Sequence, residues 1–142
     1  MHYHFKIHQE DNGYWAECIE LDGCNSQADD LDELRKNIHQ SLNLFLSEPD
    51  DSQVLFPLPD KKLDKEDFAL VEVEPQVALS FLLRRQRIIN KLTQAEVAKR
   101  LGLKNIWSYQ RLEKPDSANA SVTTLAKLLQ VFPNLELDMI FK

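Results

Sequence analysis

The sequence predicts an α+β protein in two halves: a βββαβ domain over residues 1–75, then an all-α domain over residues 76–142 that closes on a short C-terminal strand. Three observations predict it. Apolar residues recur with period two at the N-terminus and with a helical period from residue 77 onward. Turn signals at Asn12-Gly13 and Asp22-Gly23 are spaced as in a β-meander. The charge also divides at Pro75. Residues 1–75 hold 6 Lys or Arg against 18 Asp or Glu, a net of −12, while residues 76–142 hold 11 against 5, a net of +6. Asymmetry of this size points to a different partner for each half.

With 142 residues, 43% apolar and 28% charged, the chain has the composition of one globular domain or two small ones. Two half-length domains are each marginal alone, which favours oligomers or a bound partner. No apolar run approaches the roughly 18 residues that span a bilayer. The start "MHYHFKIHQED" lacks the apolar run of a signal peptide. A cytoplasmic location is therefore expected, with Cys18 and Cys24 as free thiols.

In the acidic half, Tyr3, Phe5 and Ile7 alternate with His2, His4, Lys6 and His8, the pattern of a half-buried strand with its histidines in solvent. Asn12-Gly13 turns the chain into a second strand, Tyr14 to Leu21. Asp22-Gly23 turns it into a short third, "CNSQA". Asp30 caps a helix, with Glu33 placed to reach back, and Leu31, Leu34, Ile38, Leu42 and Phe45 form its apolar stripe. Pro49 stops it. A proline-rich, charged loop follows, then a strand over Phe68 to Glu74.

Two chemical readings of this half are weak. His2, His4 and His8 share a strand face, but i, i+2 histidines from one strand rarely suffice as ligands, and no metal site is expected. The carboxylates could hold Mg²⁺ for a nuclease only if they converged at strand ends. Most lie at a helix start or in the loop, as solvated surface, so no cofactor and no catalytic residue is expected.

In the basic half, "PQVALSFLLRRQRIINKL" starts a helix on proline, with Val77, Phe81, Ile88 and Leu92 near one face, Leu82 and Leu83 widening it, and Arg84, Arg85, Arg87 and Lys91 mostly elsewhere. "TQAE" from Thr93 to Glu96 is a full capping box for the next helix, and Gly102 ends it in a left-handed conformation. The third helix, "NIWSYQRLE", is anchored by Tyr109 and Leu112. Asn105, Ser108, Gln110 and Arg111 then face outward as donors and acceptors for bases or phosphates. Trp107 either packs on the nucleic acid or completes the core. "SVTTLAKLLQVF" makes a further helix with Val122, Leu125, Leu128 and Leu129 inward. "NLELDMIF" alternates Leu135, Leu137, Met139 and Phe141, as a strand that pairs with a second copy in a C2 dimer.

This half resembles the Xre/Cro-type helix-turn-helix. The usual spacing would put an apolar anchor at Ser108. Here it falls at Tyr109, so the turn is one residue longer. The resemblance implies operator DNA binding, with Thr93, Gln94, Lys104, Asn105, Trp107, Ser108, Gln110 and Arg111 as candidate contacts. Thr93 and Gln94 stand at a helix N-terminus, where phosphate is favoured. Helix-turn-helix dimers read two half-sites, so a palindromic site is expected.

The acidic half has a resemblance of its own. Gly13-Tyr14, then Leu21-Asp22-Gly23-Cys24, then Gln27 to Leu34, then "FPLPD" follow the order of motifs in HicB-family antitoxins. Asp22 replaces the family's usual Pro and Ala28 its usual Gly. The resemblance implies a partial RNase H-like fold with no working active site, which blocks a small basic RNase, the HicA toxin. A protein of this kind is an inhibitor, not an enzyme. Glu20, Asp22, Asp29 and Asp30 are candidate toxin contacts by charge and position. The alternative is a helix-turn-helix transcriptional regulator whose N-terminal domain senses a ligand, which requires an apolar pocket in the acidic half.

Overall fold

A computed structural model describes residues 1–48 and 52–142. Pro49, expected to stop the first helix, and Asp50 lie outside the described residues. The chain forms two compact units. One comprises Met1–Leu46, Phe56–Glu74 and Lys142; the other comprises Ser47–Leu55 and Pro75–Phe141. Among the described residues, the first holds an antiparallel four-stranded sheet and one helix, and the second helices and 3-10 turns. Among the described residues, no helix is long and apolar enough to cross a membrane.

The sheet has the order β3-β2-β1-β4. Strands β1 (His2–Glu10) and β2 (Gly13–Cys18) form the hairpin, in register from Phe5↔Cys18 to Glu10↔Gly13. The turn residues are therefore Asp11 and Asn12, and Gly13 opens β2 instead of sitting in the turn. Glycine is needed there for a different reason: a Cβ at Gly13 would lie 2.6 Å from the Ala28 carbonyl oxygen of β3 (Asn25–Ala28). Gly23, at φ +86, takes the left-handed position of the turn that Cys24 N–H closes on the Leu21 carbonyl at 3.2 Å. Strand β4 (Ala69–Glu72) is shorter than expected at both ends and pairs antiparallel with β1, from His2↔Glu72 to Phe5↔Ala69.

Helix α1 (Leu31–Phe45) is capped by Asp30, whose carboxylate accepts from Glu33 N–H at 2.8 Å. Leu34, Ile38 and Leu42 are buried, each contributing about 1.5–3 kcal/mol by transfer from water. The ends of the expected stripe behave differently. Leu31 is exposed, and Phe45 meets Phe56 with ring centroids 4.9 Å apart.

The strand β1 alternation fails at one residue. Tyr3 and Phe5 are buried as expected, but so is His4, which was expected in solvent. Its Nδ1 lies 2.7 Å from Glu20 Oε2, and its backbone N–H donates to Glu20 Oε1 at 3.0 Å. The Asp60 N–H also donates to Glu20 Oε2, at 3.1 Å. A carboxylate with these partners makes burial of a polar face tolerable. It also holds the proline-rich loop, which Tyr3 secures again by donating its hydroxyl to the Pro57 carbonyl at 2.7 Å. Cys18 and Cys24 are free and buried. The thiol of Cys18 is pushed well above the ordinary range, first by its hydrogen bond with Cys24 and then by burial.

In the helical unit, α2 (Pro75–Ile89) has proline at its first position and buries Val77, Phe81, Leu82 and Leu83. It also buries Arg84 and Arg87, which the sequence placed outside the packing face. α2 ends at Lys91, the only non-glycine at positive φ (57°) among the described residues. The N–H groups of Lys91 and Leu92 close on the Ile88 and Arg87 carbonyls. This is a Schellman motif with lysine where glycine is usual. The last helix, α5 (Val122–Val131), is capped by Ser121, but of the expected stripe only Leu128 is buried; Val122 is 83% exposed.

The C-terminal segment is not a strand. Leu137–Phe141 is a 3-10 helix, and Leu135, Met139 and Ile140 are its buried residues. Their separations of four and five residues fit a coiled segment lying on its own unit. The period-two reading would have needed Leu137 and Phe141 inside, and Phe141 is 81% exposed.

Candidate nucleic-acid interface

Helix α3 (Gln94–Arg100) begins with the expected capping box: the Thr93 hydroxyl accepts from Glu96 N–H at 3.1 Å, and Glu96 Oε1 accepts from Thr93 N–H at 3.2 Å. It ends on Gly102 at φ +74. Gly102 N–H reaches the Lys99 carbonyl and Leu103 N–H the Ala98 carbonyl, the full Schellman pair. Val97, Ala98 and Leu101 are buried. After the turn, α4 (Trp107–Gln110) runs into a 3-10 turn, Arg111–Glu113. Tyr109 and Leu112 are its buried anchors and Ser108 is exposed, as the longer turn requires.

The candidate contacts fall into two groups. Lys104, Trp107, Ser108 and Arg111 are exposed, with the Ser108 hydroxyl donating to Asn105 Oδ1 at 3.2 Å. The other four are committed to the fold to varying degrees. The Thr93 hydroxyl is spent on its cap. Asn105 Oδ1 accepts from Ser108 N–H at 3.1 Å and so caps α4. Gln94 is held at both ends of its amide: its Nε2 donates to Glu113 Oε1 at 3.2 Å, and its Oε1 accepts from Gln110 Nε2 at 3.1 Å. Gln94 and Gln110 are thus brought together, with the outer amide oxygen of Gln110 bearing no bond among the described residues. Trp107 does not complete the core; it is 71% exposed.

Sequence reasoning missed what anchors this arrangement. Arg87 of α2 makes a two-pronged ion pair with Glu113, Nε to Oε2 at 2.7 Å and Nη2 to Oε1 at 2.9 Å, with side chains only 5% and 2% exposed. Its third donor reaches the Leu92 carbonyl at 3.2 Å. Burial alone would lower the pKa of Arg87. The hydrogen bonds and charge of Glu113 outweigh it, and the net direction is upward. Tyr109 is buried against the pair, its hydroxyl without a hydrogen-bond partner among the described residues. Burial first and the Glu113 charge second hold it protonated. The available signal was that Arg87 follows the buried Leu83 by four residues and shares its face. Arg84 is likewise buried, with one donor 3.4 Å from the Glu48 carbonyl.

The candidate acidic contacts of the sheet unit separate in the same way. The Glu20 side chain is buried, 4% exposed, and bonded to His4 and Asp60. Asp22 and Asp29 are exposed, and Asp30 is exposed with one oxygen engaged as a cap. Asp29 lines an open groove of about 960 Å³ together with Glu10, Tyr14, Trp15, Gln27 and Glu33.

A helix with a full capping box, a glycine turn and a short second helix flanked by the exposed cations Lys104 and Arg111 form a helix-turn-helix arrangement. Residues 83–140 match the helix-turn-helix family model, of the Xre/Cro type. This places the C-terminal unit among DNA-binding domains of transcription regulators. No curated protein matches the chain.

Proposed function

We propose that this chain is a HicB-type antitoxin: its acidic unit binds and neutralises a small, basic, mRNA-cleaving toxin of the HicA type, and its helical unit represses the operon that encodes both. The observation that carries the reading is one chain joining a helix-turn-helix unit to a βββαβ unit in an acidic half, net −12 over residues 1–75, whose motifs follow the HicB order. The element order supports the partial RNase H-like fold that the resemblance implies. Acidic surface suits a toxin that must itself hold RNA, because it competes for the same basic groups and speeds encounter. With Glu20 internal, the docking surface falls to Asp22, Asp29 and the groove that Asp29 shares with Glu10 and Glu33. Each unit works by binding, as a homodimer or higher oligomer on a palindromic operator, with no catalysis.

The test is copurification of the tagged chain from its own host. A small basic protein held in salt that strips DNA away supports the antitoxin. DNA alone, lost as salt rises, leaves a transcriptional regulator and directs attention to a ligand of the N-terminal unit. The open, polar-lined groove suits a protein surface better than the enclosed apolar pocket a small ligand needs.

A further inference from the structure

The exposed indole of Trp107 is the least explained feature of the helical unit. A tryptophan that is 71% exposed forgoes most of the burial that its large apolar surface offers. The core does not require it, because Tyr109 and Leu112 fill the anchor positions of the same segment. It makes no hydrogen bond or ring contact among the described residues. Ile106, immediately before it, is also exposed, so two consecutive apolar side chains open α4. They are bracketed by cations: Lys104 precedes them and Arg111 follows Trp107 by one turn, both exposed. An apolar tip between cations is complementary to a surface with an apolar spot between phosphates.

In duplex DNA the major groove has one such spot. The base edges there are hydrogen-bond donors and acceptors except for the C5-methyl group of thymine. In helix-turn-helix proteins the N-terminal residues of the second helix are those that meet base edges, and Trp107 is the first residue of α4. We propose that Trp107 is the specificity-determining residue that selects thymine, by packing its indole on the C5-methyl group in the major groove, with Ile106 extending the apolar contact. Lys104 and Arg111 hold the flanking phosphates. This rests on the DNA-binding reading of the helical unit and adds what that unit reads.

The experiment separates the two. Duplexes are first selected from a random library with the full-length chain. Each thymine of the selected site is then replaced singly by uracil, which removes only the methyl group. For the unmodified protein, one thymine per half-site should stand out, its replacement weakening binding about fourfold, the worth of one buried methyl-sized group. For Trp107→Ala, uracil at that position should cost nothing, while affinity for the thymine site falls below that of the unmodified protein. Trp107→Phe should keep part of the discrimination. If no duplex is selected, the DNA reading and this inference fall together. If duplexes are selected but uracil is silent everywhere, or costs Trp107→Ala as much as the unmodified protein, the thymine reading alone is overturned. Where Trp107→Ala fails to fold, Trp107→Phe takes its place: an undiminished uracil penalty in that variant overturns the thymine reading.

Discussion

Removing Arg87 from its pair with Glu113 should strongly destabilise the helical unit. The pair is joined by two charge-assisted hydrogen bonds of 2.7 and 2.9 Å at side chains 5% and 2% exposed. In Arg87→Met the Glu113 carboxylate stays buried, and the Gln94 amide is the hydrogen bond left to it among those described. Breaking one partner of a buried pair costs about 3–5 kcal/mol, most of it the penalty of the stranded charge. A small domain has about 5–15 kcal/mol in all, so the loss is a large fraction of the total. The assay is urea unfolding followed by circular dichroism at 222 nm, which the helical unit dominates. With a slope of about 1 kcal/mol per molar for a unit this small, the midpoint should fall by several molar. The double variant Arg87→Met/Glu113→Leu leaves no buried charge, though the Leu92 carbonyl and the Gln94 amide lose a partner, and it should recover much of the loss, giving a coupling energy of at least about 2 kcal/mol. If Arg87→Met costs under about 1 kcal/mol, or if the two single losses add within about 0.5 kcal/mol, the pair is not the anchor described above.

Glu20→Ala should destabilise the sheet unit by about 1–3 kcal/mol, because it leaves the buried backbone N–H of His4 without its acceptor, while the exposed Asp60 N–H can turn to water. The Asp60 amide should lose its protection from hydrogen exchange. Unchanged stability with weaker partner binding would instead return Glu20 to the docking surface. Lys91→Gly should stabilise the helical unit by about 0.5–1 kcal/mol, since φ 57° strains a side-chain-bearing residue more than glycine's extra unfolded-state freedom costs. A lower melting temperature would contradict this. For DNA binding, Lys99, Arg100, Lys104 and Arg111 are the exposed cations of α3 and the segment after it. Four phosphate contacts give a slope of log affinity against log salt of about −3.6 per protomer. A slope near zero would mean that phosphates are not the ligand.

What the sequence made legible was local. Thr93 and Glu96, Gly102, Asp30 and Gly23 act within three or four residues of themselves, and each does what its type and position dictate. Tyr109 and Leu112 could be chosen as anchors because the apolar spacing admitted few others. What it hid was distant or ambiguous. His4 looked solvated because strand alternation does not know that Glu20 will fold over it from 16 residues away. Arg87 and Glu113 are 26 residues apart, and nothing local announces their meeting. The C-terminal segment offered two periods at once: Leu135 and Met139 belong to an alternating set and also to one helical turn. The period-two choice used Leu137 and Phe141, whereas the fold used Ile140. The candidate contacts are hardest to choose where a polar side chain has two uses. Asn105, Gln94 and Thr93 are the right types to meet DNA and are also the right types to cap or brace a helix.

The four-residue length of α4 carries a consequence for how damage to this protein would show itself. One helical turn cannot nucleate alone, so α4 exists only while Tyr109, Leu112 and the Arg87–Glu113 pair hold it. Folding and sequence reading are therefore a single equilibrium in the helical unit. A substitution in its core should weaken binding to every duplex by the same factor, set by the fraction of molecules still folded. A substitution at Trp107 should instead reorder the preferred sequences while leaving the melting temperature alone. Ranking variants by those two readouts sorts the unit's residues into those that build the reader and those that do the reading, without any structure of the complex.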